Sequence, residues 1–149
     1  MKKYLLLLLS LLFLVSCRQI EVGNIKSFTV KSFSGRSIMV DMQFDINNPK
    51  KLPVSIKNAE FMLIIGGKTL GTAVLQKEVS IAANKRDSYY FPLELKLSDN
   101  IGSYFSILKI LKKNEEPIVL KGWLNAQSGI ITRKFNFEKE IGKDEIRFP

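Results

Sequence analysis

The chain has 149 residues, with 23 Lys and Arg against 14 Asp and Glu and no histidine, a formal charge of +9. The missing imidazole excludes His-based general-base catalysis, Ser-His and Cys-His nucleophilic arrangements, and the usual zinc ligands. One cysteine, Cys17, excludes an internal disulfide.

Met1, Lys2 and Lys3 form a positive start, and from Leu5 to Val15 the run is apolar apart from Ser10. A bilayer span needs about 20 apolar residues. This shorter run after a positive start has the layout of an export signal. It ends in Leu14-Val15-Ser16-Cys17, which resembles the bacterial lipobox. The resemblance implies that residues 1–16 are removed, that the Cys17 sulfur receives a diacylglycerol, and that the new amino group is acylated with a fatty acid of the palmitate kind. A single myristoyl-length chain binds a membrane with K on the order of 10⁴ M⁻¹, whereas two or three chains anchor stably. Arg18 stands where enterobacterial lipoproteins retained in the inner membrane carry Asp. That comparison points to the outer membrane, facing the periplasm, with surface display as the other arrangement.

Loss of Lys2 and Lys3 leaves 21 basic side chains against 14 acidic ones, a formal +7. Export argues against nucleic acid as the partner. The excess instead describes a Lys-rich solvated surface, or attraction to anionic head groups at about 1 kcal/mol per cation close to such a surface. Residues 17–22 are expected to be the lipidated cysteine and a short tether, and 23–149 a single domain of ordinary size.

Alternation with period two dominates that domain. Val22 to Phe33 alternates weakly. From Arg36 to Asn47, Ile38, Val40, Met42, Phe44 and Ile46 share one phase, and Asp41, Gln43, Asp45 and Asn47 share the other. Asn48 and Pro49 then stop the strand, since proline offers no N–H to a ladder. Val54 to Ile65 is the next strand, with a phase slip at Lys57-Asn58 that predicts a β-bulge. Met62 and Ile64 make its far end apolar on both faces, which predicts a covering element. Gly66-Gly67 predicts a two-residue hairpin into Lys68–Leu75, with Leu70, Thr72 and Val74 in phase.

A short strand near Glu78–Ile81 and a polar loop over Ala83–Asp87 lead to Ser88–Leu97. There Tyr89, Phe91, Leu93, Leu95 and Leu97 point inward, and Pro92 on the outward phase predicts an edge strand. Ile101, Tyr104, Phe105, Leu108 and Leu111 carry the stripe of an amphipathic helix over about 99–112, capped by Ser98 or Asp99, with Lys112 and Lys113 at its negative end. Ile118–Ala126 and Ile131–Glu140 close the chain as strands, the first with Ile118, Leu120 and Leu124 inward and Gly122 where a side chain would not fit, the second carrying Phe135 and Phe137. The expected fold is mainly β, an antiparallel immunoglobulin-like sandwich of seven to eight strands with one α-helix.

The order of Asp45-Ile46-Asn47-Asn48-Pro49, Pro53-Val54-Ser55-Ile56, the glycine hairpin after Phe61, and Ile81-Ala82-Ala83-Asn84 resembles the late-embryogenesis-abundant type 2 domain, also called the water-stress and hypersensitive-response domain. Ala82 and Asn84 replace that family's proline and glycine. The resemblance covers about residues 25–140. It implies a fibronectin-like sandwich with a helix between late strands, no catalytic residues, no cofactor beyond the lipid on Cys17, and a protective role toward proteins or membranes under stress. It is similar in this to lipoproteins of Gram-negative bacteria.

No phosphate loop is present: Gly66-Gly67-Lys68-Thr69 lacks the first glycine at the required spacing. Asp41 and Asp45 share a strand face about 13 Å apart at about 3.3 Å per residue. Paired-carboxylate hydrolysis needs roughly 5–9.5 Å. Enzyme activity is therefore not expected. Tyr90 and Trp123, on outward phases, are candidates for a surface contact; a strand Trp also packs under a loop or helix. The expected function is a lipid-anchored, non-enzymatic binding or stress-protective module that contacts envelope proteins or lipids. The alternatives are a carrier of an apolar ligand held between the sandwich and the 99–112 helix, and a structural subunit of a surface complex.

Overall fold

In the computed structural model, residues 19–102, 104–113 and 115–148 are described. The expected export signal and Cys17 lie outside these residues, as do the side chains of Tyr104 and Leu111. The strands are β1 (Glu21–Ser34), β2 (Ser37–Asn48), β3 (Val54–Ile65), β4 (Lys68–Leu75), β5 (Val79–Ile81), β6 (Lys85–Leu97), β7 (Ile118–Ser128), β8 (Ile131–Ile141) and β9 (Ile146–Arg147), with the helix α1 (Tyr104–Lys113) between β6 and β7. They form one sheet in the order β8-β7-β3-β4-β6-β2-β1-β9, with β5 paired to β3. All pairings are antiparallel except β1 with β9, which run parallel at Phe28–Ile146 and Thr29–Arg147. β1 begins at Glu21, two residues before the expected start of the domain at 23.

The sheet folds over on itself. Phe44 on β2 meets Phe137 on β8 at 5.6 Å between ring centroids, edge to face, although five steps of the strand order separate those strands. Phe137 also leans on Phe61 of β3. The result is a mainly-β, sandwich-like fold with the β8-β7-β3 half facing the β6-β2-β1 half. Met42, Leu93 and Leu120 are completely buried between the halves. The inward phases of β2, β3 and β6 supply most of this core, as their alternation predicts.

Bulges explain where alternation is weak. β3 carries Lys57 as an extra residue against β7, between the Ile56–Ala126 and Asn58–Asn125 pairs. β4 carries Leu70 as an extra residue between the Gly71–Leu63 and Thr69–Ile64 pairs. Its inward set is therefore Leu70 then Ala73, and Thr72 and Val74 face outward, contrary to the expected phase. β1 has three such irregularities.

Further expectations are corrected. Pro92 is not on an edge: β6 lies between β2 and β4. The N and C=O of a strand residue point to the same side, and the Pro92 carbonyl accepts from Gln76 N–H at 2.9 Å, one residue past the end of β4. The proline nitrogen thus falls where that pairing has already stopped. The helix starts at Tyr104 rather than 99, so neither Ser98 nor Asp99 caps it. Ser98 C=O instead accepts from Ile101 N–H, and Asp99 pairs with Arg36 at 3.0 Å. Within α1, Ile107 is buried and Phe105 is exposed, so the buried stripe is rotated from the expected one. Met62, where a covering element is expected, is exposed, and Phe135, in phase with Phe137 on β8, is 48 % exposed because the opening stretch of β8 extends past the core.

Candidate functional site

All strand ends can be assigned to one of two ends of the sandwich. Glu21 pairs with Asn47, and Asn48 with Lys85, which gathers the start of β1, the end of β2 and the start of β6. Ser55 pairs with Gln127 and Val54 with Ile81, which adds the start of β3, the end of β7 and the end of β5. The entry of the chain into the fold, the loop 49–53, the loop 82–84 and the 129–130 turn therefore lie together. The opposite end carries the Gly66-Gly67 turn and α1.

Asn48 builds the entry end. Its side chain is fully buried on a loop junction, where a neutral amide can satisfy both donors and its acceptor. Nδ2 donates to the carbonyls of Leu52 (3.1 Å) and Ala82 (3.2 Å), and Oδ1 accepts from Lys50 N–H (3.1 Å). Asn84 N–H donates to the Lys50 carbonyl at 2.9 Å, and the Ser128 hydroxyl reaches the Pro53 carbonyl. Asn84 is the one non-glycine with positive φ among the described residues, at 49°, a conformation that asparagine tolerates. Pro49 opens the loop directly after Asn48. Gly66 and Gly67, at φ 54° and 74°, form the expected primed turn at the other end and share nothing with this site.

The surface-contact candidates are not brought together. Tyr90 is exposed on the outside of β6, and Trp123 lies half-buried on the outside of β7, three steps away in the strand order. Lys134 Nζ sits 4.5 Å from the centroid of the Trp123 ring, so a neighbouring cation lies over one face of it. Gly122, beside it, is required: a Cβ there would strike the Glu60 carbonyl and Phe61 Cα of β3.

Charges on the outer face of β1, β2 and β6 pair across strands. Lys26 meets Asp45 at 2.7 Å and Lys31 meets Asp41 at 3.3 Å, so the two aspartates belong to separate ion pairs. Hydrogen bonds from Lys26 and Ser88 hold the Asp45 carboxyl below the usual carboxylate range. Lys85 and the Ser88 backbone N–H do the same for Asp87, whose hydrogen bond in turn raises Lys85. Glu78 is lowered by hydrogen bonds from Lys57 and Ser55.

Two spaces bear on ligand carriage. Between the halves and α1, an apolar cavity lined by Phe28, Leu63, Ile107 and Ile118 holds about 20 Å³. Ligand pockets usually run about 300–1,000 Å³. An open groove of about 310 Å³ lies between α1 and the β3–β4 hairpin, with Ile65, Leu70 and Ile110 below and Lys68, Lys109 and Lys113 at the rim. Sequence reasoning missed it, because the pattern of α1 does not reveal which turn of the sheet it crosses.

No family model matches the chain, and no curated protein matches it in sequence. Among solved structures it is similar to a protein from Archaeoglobus fulgidus, at 11 % identity and a TM-score of 0.53, covering 85 % of this chain and 94 % of that one. This likeness is one of fold. The GAE domain of yeast GGA1 aligns over 87 % of this chain and 96 % of its own at 14 % identity, with a TM-score of 0.39 too low to carry an argument. No described helix is long and apolar enough to cross a membrane.

Proposed function

We propose that the chain is the precursor of a lipid-anchored protein of the bacterial cell envelope, whose domain is a non-enzymatic binding or stress-protective module acting on envelope proteins or lipids. The observation that carries this reading is Leu14-Val15-Ser16-Cys17 at the end of an apolar run too short to span a bilayer. The sandwich-like fold and the order of turns that resembles the late-embryogenesis-abundant type 2 domain support it. The anchor belongs in the outer membrane on the periplasmic side, held there by acyl chains on Cys17.

Detergent-phase partition and envelope fractionation test this. The full chain, expressed with its own signal in a Gram-negative host, is expected in the detergent phase and the outer-membrane fraction. Cys17→Ala is expected to leave the detergent phase. Equal behaviour of the two would sink the proposal. The second reading, carriage of an apolar ligand, is favoured by the open groove beside α1 rather than by any enclosed cavity.

A further inference from the structure

We infer that the entry end of the sandwich is a membrane-docking face, which seats Leu52 and Ile130 in the anionic phospholipid surface that holds the Cys17 anchor. The inference rests on the anchor reading for its orientation and on separate observations for its chemistry. Ile130, at 99 %, is the most exposed large apolar side chain among the described residues, and Leu52 stands 57 % exposed beside it. A Cβ on Gly129 would lie 3.9 Å from the Leu52 Cδ1, which places Leu52 against the turn that carries Ile130. Ile131 and Phe135 continue the exposed apolar surface along β8.

Cations share the end with these tips. At this end Glu21 is paired with Arg86, and Asp87 with Lys85. Lys50, Lys51 and Arg133 have no acidic partner among the described residues. Apolar tips on the same end as uncompensated cations suit an interface of anionic head groups over hydrocarbon. The hydrogen bonds of Asn48 and Asn84 fix the loop that presents Leu52, and Gln127 Nε2 donates to the Gly129 carbonyl in the turn that presents Ile130.

The chain outside the described residues points the same way. Ile20 packs against the core, and only Arg18 and Gln19 separate it from Cys17. Three residue steps span at most about 11 Å. An acylated Cys17 thus holds this end, and not the α1 end, against the bilayer.

The test uses the processed lipoprotein in vesicles with and without phosphatidylglycerol. Its one native cysteine is blocked by lipid, so Leu52→Cys, Ile130→Cys and, at the far end, Lys68→Cys each take a single fluorophore. Quenching by nitroxide lipids is expected at 52 and 130 and not at 68. Lys50→Gln with Lys51→Gln, in a chain carrying Cys17→Ala and lacking residues 1–16, is expected to weaken sedimentation with phosphatidylglycerol vesicles about fivefold per lysine. Equal quenching at all three sites overturns the docking face, as does crosslinking of 52 or 130 to an envelope protein without quenching. Intact mass reports separately whether Cys17 carries lipid; an unlipidated Cys17 overturns the anchor reading, and the sedimentation result still decides the docking face.

Discussion

The side chain of Asn48 donates to the carbonyl of Ala82, 34 residues away, and ties the loop after β2 to the loop before β6. The same amide donates to Leu52 and its oxygen accepts from Lys50, so one buried group closes three backbone positions. Asn48→Ala would leave these partners without a protein contact. An unsatisfied buried group costs about 1–3 kcal/mol, and a loss of about 3 kcal/mol is expected in urea unfolding. A loss below about 0.5 kcal/mol would contradict this role for the amide.

Gly122 and Gly102 provide a matched pair. A Cβ at Gly122 meets the backbone of β3, whereas Gly102 faces open space. Gly122→Ala is expected to destabilise by about 1–3 kcal/mol, as overpacking does. Gly102→Ala is expected to stay within about 0.5 kcal/mol. Thermal denaturation of the two variants beside the parent checks the contrast.

Phe137 and Phe135 share a phase on β8 and differ in fate. Phe137 touches Phe44 and Phe61 and bridges the halves, whereas Phe135 stands 48 % exposed. Phe137→Ala is expected to cost about 3 kcal/mol, and Phe135→Ala well under half of that. Equal losses would mean that the halves are not closed through Phe137.

That pair also shows what the sequence makes legible. Alternation in β2 and β3, the bulge at Lys57, the Gly66-Gly67 turn and the need for a glycine at 122 are local signals, and each appears in the fold. Local pattern does not say how far a strand outruns its partner, so Phe135 reads like Phe137. It does not say where a neighbouring strand stops, so Pro92 reads as an edge residue. The helix stripe placed α1 approximately, but Ile101 belongs to the preceding turn, which shifted both its start and its buried side. The entry-end site was visible only as Asn48-Pro49. Leu52 and Ile130 are 78 positions apart in the sequence, and strand pairing alone brings them together.

Acid sensitivity follows from Asp45, Asp87 and Glu78. Their native carboxyls titrate lower than in the unfolded chain. Their contribution is therefore complete above the unfolded values, about 4, and is lost as pH falls through the native values. These groups are exposed, so the effect is small and weakens with salt. Asp45→Asn is expected to lower stability slightly near neutrality and to flatten the profile below pH about 4, where variant and parent converge. A two-dimensional NMR titration of the carboxyls gives the order directly.

Intact mass spectrometry of the protein purified from bacterial membranes, made with its own signal, tests the central claim most directly. The predicted species begins at Cys17, lacks residues 1–16 and is heavier than the bare polypeptide by a diacylglyceryl group and one further acyl chain, while Cys17→Ala gains neither. A wild-type chain that keeps residues 1–16, or starts elsewhere with a free Cys17 thiol, would contradict the account.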